Sequence, residues 1–167
     1  MAIEDHPPIV KNIAWKTEED TAAFARALAA KLPAGSAGRN AVIELHGDLG
    51  AGKTTFARYL LGALGVTGRI KSPTYAVVEP YTVDEAAGSG FNIWHFDFYR
   101  FNDPDEWEEA GFRDIFAGAG LKLVEWPEKA GEHLPPADLH IQLELRPDES
   151  RAVTLTARSR AGAALMP

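Results

Sequence analysis

Cysteine is absent from all 167 residues, which excludes disulfides, a thiolate nucleophile and thiolate-held zinc. Positive charge is short: 17 Lys and Arg stand against 24 Asp and Glu, a formal charge of −7. Gripping nucleic acid along its backbone takes clustered Lys and Arg, so a broad nucleic-acid grip is not expected, which does not exclude a partner that holds nucleic acid. No apolar run approaches a membrane span, and residues 1–8 have neither the basic nor the apolar region of a signal peptide. A cytoplasmic protein with no membrane partner is expected. The 46% hydrophobic and 25% charged residues are those of an ordinary globular chain. The length suits one domain over 1–167, with flexible ends at 1–12 and 159–167, and no repeat or linker divides it.

What the chain does contain is the stretch Gly47-Asp48-Leu49-Gly50-Ala51-Gly52-Lys53-Thr54-Thr55. It matches G-x-x-x-x-G-K-S/T, the Walker A phosphate loop, in the setting that motif needs. The apolar run 41–46 precedes it as a strand, and 56–64 follows as a helix with Gly65 as its stop. Gly47, Gly50 and Gly52 let the backbone come close to a polyphosphate, with Ala51 and Thr55 completing the turn and the helix start adding partial positive charge. Lys53 is placed to reach the outer phosphates, and the Thr54 hydroxyl to complete a magnesium shell.

Around this loop the chain reads as alternating elements. Thr17-Glu18-Glu19-Asp20 opens a helix whose apolar face carries Phe24, Leu28 and Leu32. Residues 33–40 form a loop. Strands are expected at 76–83 and 91–98, joined by an acidic, glycine-rich tip at 84–90. A short acidic helix over 103–110 ends at Gly111, and its run 106–109 reads as a solvated face or a contact surface. Further strands are expected at 121–126, stopped by Pro127, and at 141–145 and 153–156. The whole suggests an α/β fold: a mixed, mostly parallel sheet flanked by helices, with hairpin strands at its margin.

A phosphate loop needs a carboxylate at the end of another strand to organise magnesium. Asp97 in His95-Phe96-Asp97-Phe98-Tyr99-Arg100 and Glu125 in Leu123-Val124-Glu125-Trp126 both qualify, and spacing leaves open which touches the metal. Lys71-Ser72-Pro73-Thr74-Tyr75 reads either as a hydroxyl-rich turn of the kind that senses a γ-phosphate or as a Pro-fixed turn with polar filler. Trp126 reads either as a stacking surface or as simple packing, and His95 as a core or sheet residue. The lack of N/T-K-x-D and of D-x-x-G beyond the loop weakens a GTPase reading, and the lack of an Arg-rich insert weakens a kinase.

Taken together, these stretches resemble the TsaE (YjeE) family, the ATPase component of bacterial threonylcarbamoyladenosine (t6A) tRNA modification. The resemblance runs through the phosphate loop, Lys71 to Tyr75 with Val78-Glu79-Pro80-Tyr81, His95 to Arg100, Asp103-Pro104, Gly111-Phe112-Arg113-Asp114 and Glu125-Trp126-Pro127-Glu128. It implies a single-domain P-loop NTPase fold that binds ATP with Mg2+ and hydrolyses it slowly. It also implies work beside the proteins TsaD and TsaB, resetting their complex between turnovers, with tRNA met only through that complex. By motif, Thr54 and Glu125 resemble magnesium ligands, Asp97 the catalytic carboxylate, and Ser72, Pro73, Thr74 and Tyr75 the switch at the partner face. Trp126 falls near the nucleotide, as do Glu18 and Arg151 by a looser match of the flanks. Phe98 stands where the family usually has Leu. Two other functions use the same loop: a small-molecule kinase, and a nucleotide-gated binding module without turnover.

Overall fold

The computed structural model describes residues 7–33, 35–70, 73, 77–83, 90–103, 105–109 and 111–167. Seven strands form one sheet: β1 (Ile9–Trp15), β2 (Val42–His46), β3 (Val78–Val83), β4 (Phe91–Asp97), β5 (Leu121–Glu125), β6 (Leu139–Leu145) and β7 (Arg151–Ala157), in the order β1-β7-β6-β2-β5-β4-β3. The four central strands, β6-β2-β5-β4, run parallel. Both margins are antiparallel, with β3 on β4 at one side and β7 and β1 at the other. The mixed sheet with an outlying hairpin is therefore as the sequence predicts. Between them, β2 and β5 leave only His46 partly exposed, as expected for strands covered on both faces.

Alternation along the strands sorts the side chains into two cores. Ile43, Leu45, Leu121, Leu123, Ile93, Ile141 and Leu143 face α1 (Glu18–Ala29) and α2 (Lys53–Ala63), where Trp15, Phe24 and Phe56 meet with ring centroids 5.4–5.9 Å apart. Val42, Phe96 and Val124 face the other way, into an aromatic core of Phe98, Phe101, Trp107, Phe112 and Phe116. That second core is closed by the short helices α3 (Glu106–Glu109) and α4 (Phe112–Ala117). Thr17 caps α1 as predicted: its hydroxyl accepts from the Asp20 amide, while the Asp20 carboxylate accepts from the Thr17 amide.

Several expectations need correction. Two elements are additional to those expected: β1, which pairs along its whole length with β7, and α5 (Arg160–Ala164), which starts at Ser159, whose hydroxyl accepts from the Gly162 amide. The loop 33–40 ends in a 3-10 turn over Ala37–Asn40. The acidic run 106–109 is not simply a solvated face, because Trp107 turns inward and is 1% exposed. α4 has no counterpart in the sequence reading. It starts at Gly111, whose φ of 73° belongs to the left-handed region that glycine enters without strain. The strands β6 and β7 are each longer than predicted, by two and three residues respectively. Residues 84–89 of the hairpin tip and Ala76 lie outside the described residues.

Candidate nucleotide site

The carboxyl ends of β2, β5 and β4 lie side by side, with Leu45 opposite Glu125 and Glu125 opposite Asp97. Parallel α/β sheets bind ligands at this end. Period-two alternation puts His95, Asp97 and Glu125 on the same face as α2, so the predicted carboxylates converge on the phosphate loop.

The loop itself is shaped by three glycines in positive φ: Gly47 at 149°, Gly50 at 83° and Gly52 at 109°. At Gly47 a Cβ would stand 2.6 Å from the Leu143 carbonyl oxygen, so no other residue fits without moving β6. Gly52 is the N-cap of α2, and Lys53 and Thr54 begin the helix. Burial pushes the Lys53 ammonium below its ordinary pKa, against the pull of Glu125, Glu128, Asp97 and Asp48. Its Nζ donates to the carbonyls of Gly47 and Asp48, and sits 3.7 Å above the centre of the Trp126 ring.

Glu125 is 1% exposed and is held from two sides. The Thr54 hydroxyl donates to its Oε1 at 2.7 Å, and His95 Nε2 lies 2.6 Å from its Oε2. A carboxylate only accepts, so His95 carries its proton on Nε2, and Nδ1 has no partner among the described residues. Asp97 accepts from the Tyr99 amide at 2.9 Å, and its own amide donates to the Val77 carbonyl at 2.8 Å. The Val77 amide in turn donates to the Pro73 carbonyl at 2.7 Å. Val77 has φ of 67° and Trp126 has φ of 54°, each a backbone state costing about 1–3 kcal/mol at a non-glycine residue. Both strained positions flank the site.

A cavity of about 310 Å³ is lined by Gly50, Ala51, Gly52, Lys53, Thr54 and Thr55 of the loop, with Asp97, Glu125, Trp126 and Arg151 around it. A second cleft of about 120 Å³ adjoins it and shares Ala51, Gly52, Thr55 and Arg151, with Glu18 on its far wall. Arg151 Nε donates to the Ala51 carbonyl at 3.2 Å, while Glu18 accepts from the Tyr59 hydroxyl at 2.6 Å. Both flank residues thus reach the site. Pro73 is buried; Ser72, Thr74 and Tyr75 lie outside the described residues. Two further residues contribute: Tyr99, and His95, which the sequence suggests as a core or sheet residue. Tyr99 lines the cavity, its ring 5.0 Å from Trp126, and His95 holds Glu125. The signal for His95 was its two-residue spacing from Asp97, which puts both on one face.

The donor set suits a hard cation. The Thr54 and Glu125 oxygens stand 2.7 Å apart, and neighbouring ligands of an octahedral Mg2+ with bonds of about 2.1 Å lie roughly 3.0 Å apart.

Comparison with known proteins identifies the family. Residues 15–153 match the family described as "Threonylcarbamoyl adenosine biosynthesis protein TsaE". The chain is 42% identical over 121 residues to the tRNA threonylcarbamoyladenosine biosynthesis protein TsaE of Haemophilus influenzae, covering 72% of this chain and 73% of that one. It is 36% identical over 150 residues to the protein of the same name from Bacillus subtilis, covering 89% and 87%. The crystal structure of Bacillus subtilis YdiB superposes with a TM-score of 0.72 at 31% identity, over 96% of this chain and 93% of that one. With the match spanning both flanks of the phosphate loop and every strand from β2 to β6, the chain belongs to the TsaE family.

Proposed function

We propose that this protein is the ATP-binding, slowly hydrolysing subunit of the t6A tRNA modification machinery, and that it acts with TsaD and TsaB to reset their complex between turnovers. The observation that carries the reading is the hydrogen-bonded line Thr54–Glu125–His95 beneath a glycine-rich loop with a buried lysine. The loop amides and the α2 start cradle the phosphates. Lys53 exchanges its loop carbonyls for phosphate oxygens, and Thr54 and Glu125 hold Mg2+, which neutralises charge on the outer phosphates when bound. Asp97, fixed by the Tyr99 amide, orients the attacking water. Glu18 and Arg151 line the cleft where the nucleoside end extends.

With a charge of −7, the chain leaves tRNA to its partners. The segment with Ser72, Pro73, Thr74 and Tyr75 is the partner-facing switch, tied to Asp97 through Val77.

Calorimetry with Mg-ATP, alongside phosphate release, tests the reading. Lys53→Ala removes charge-assisted bonds worth about 1.5–3 kcal/mol each, so binding weakens at least tenfold and turnover is lost. Full turnover in that variant overturns the proposal. A phosphorylated acceptor in place of free phosphate points instead to a kinase. ATP-dependent capture by TsaD–TsaB without phosphate release points to a binding module.

A further inference from the structure

The other face of β2 carries a group that the nucleotide site does not use. Alternation turns Glu44 and His46 away from α2, and β6 runs parallel beside them with His140 directly opposite Glu44. The three side chains therefore converge on one spot of the sheet. His46 Nε2 lies 3.0 Å from Glu44 Oε1 and 3.1 Å from His140 Nδ1, and His140 Nδ1 lies 3.4 Å from the same carboxylate oxygen. A tetrahedral ion with bonds of about 2.0–2.1 Å sets its ligand atoms roughly 3.3 Å apart. The triangle already has that size.

Burial and lone-pair geometry suit a cation there. Glu44 is only 8% exposed, and its ion-pair partners among the described residues are these two imidazoles. Three lone-pair-bearing atoms also share one spot, with at most one proton each on the two nitrogens. The rings lie with centroids 5.3 Å apart and planes 26° apart. Rotation about the broad imidazole χ2 aims both nitrogens at a common point. Both imidazole side chains are about a quarter exposed, at 26% and 27%, which leaves an open side for water as a fourth ligand.

We infer that Glu44, His46 and His140 form a binding site for a divalent transition metal of the Zn2+ class. The two-nitrogen, one-carboxylate set suits Zn2+, Co2+ or Ni2+ and disfavours Mg2+, which prefers oxygen alone. The site is separate from the magnesium position, on the opposite face of the sheet. It pins the end of β2 to β6 directly ahead of Gly47, where the phosphate loop begins.

Titration of the chelator-stripped full chain with Zn2+ by calorimetry tests this, with Co2+ as a spectroscopic probe. One equivalent binds the natural protein, and Co2+ gives the visible bands of tetrahedral coordination. His46→Gln and His140→Gln each weaken binding beyond the roughly 10–100-fold typical of losing an outer partner, and abolish those bands. Circular dichroism confirms that each variant is folded, and either one alone suffices. No stoichiometric Zn2+ uptake by the natural protein means a hydrogen-bonded triad and overturns the site. Undiminished Zn2+ and Co2+ binding in folded variants places the metal elsewhere, at His95 and Glu125 for instance, and overturns it equally.

Discussion

Two histidine–carboxylate groups sit back to back through the same sheet, and their surroundings differ. On the α2 face His95 and Glu125 are 0% and 1% exposed, and both carboxylate oxygens are engaged, one by the histidine and one by Thr54. On the opposite face His46 and His140 are partly open to solvent and share one oxygen of Glu44. The same residue types therefore do different work. On the proposed reading, a sealed histidine with one nitrogen committed to a carboxylate orients that carboxylate for an oxygen-loving ion. Two open histidines around a carboxylate are themselves the ligands.

The largest effect expected from breaking this comparison is at Glu125. Glu125→Gln keeps the Thr54 hydrogen bond but loses the metal's charge partner, and lowers Mg2+-dependent phosphate release on the order of 100-fold or more. His95→Gln acts through Glu125, so it raises the Mg2+ requirement roughly tenfold while leaving nucleotide affinity without metal close to normal. Equal effects of both variants on the metal-free affinity would erase the distinction between ligand and orienting residue.

Next in size is a change on the aromatic face. Phe98 is 0% exposed and packs on Phe96, Phe101, Trp107 and Phe112. Phe98→Leu, which restores the residue usual in the resemblance, costs roughly 1–2 kcal/mol in chemical denaturation, below the 3–5 of a full truncation. The smallest effect is at Lys122, which is 1% exposed at the opposite end of β5 and donates to the Gly118 carbonyl. Burial lowers its pKa, with Asp138 pulling the other way. Between that lowered value and about 10.4 the unfolded chain binds more protons, so stability rises with pH through this window. Denaturation at pH 8 and pH 10 shows that rise in the natural protein and a smaller one in Lys122→Met.

Much of this was legible in the chain because it is local. The glycine spacing of 47–52, the strand before it and the capping box at Thr17 need no knowledge of distant residues. Asp97 and Glu125 could be named as strand ends, since alternation and Pro127 mark where those strands stop. What could not be read depends on register. His95 meets Glu125 only because β4 lies parallel beside β5, and Glu44 meets His140 only because β6 lies beside β2. β1 escaped notice because it is an edge strand with Ile9 and Val10 left 42% and 53% exposed, so its pattern does not look half-buried. α5 escaped because it is five small or polar residues, held in place by contact with the Asp138 backbone at Gly162.

One feature of the outermost strand bears on assembly. Just ahead of β3 the Asp97 amide donates to the Val77 carbonyl, so alternation makes Pro80 opposite Trp94 an open rung whose backbone nitrogen points off the sheet. A proline there offers no N–H to an approaching strand. A strand adding at this border therefore loses one donor of its ladder at Pro80, which weakens edge-to-edge pairing there.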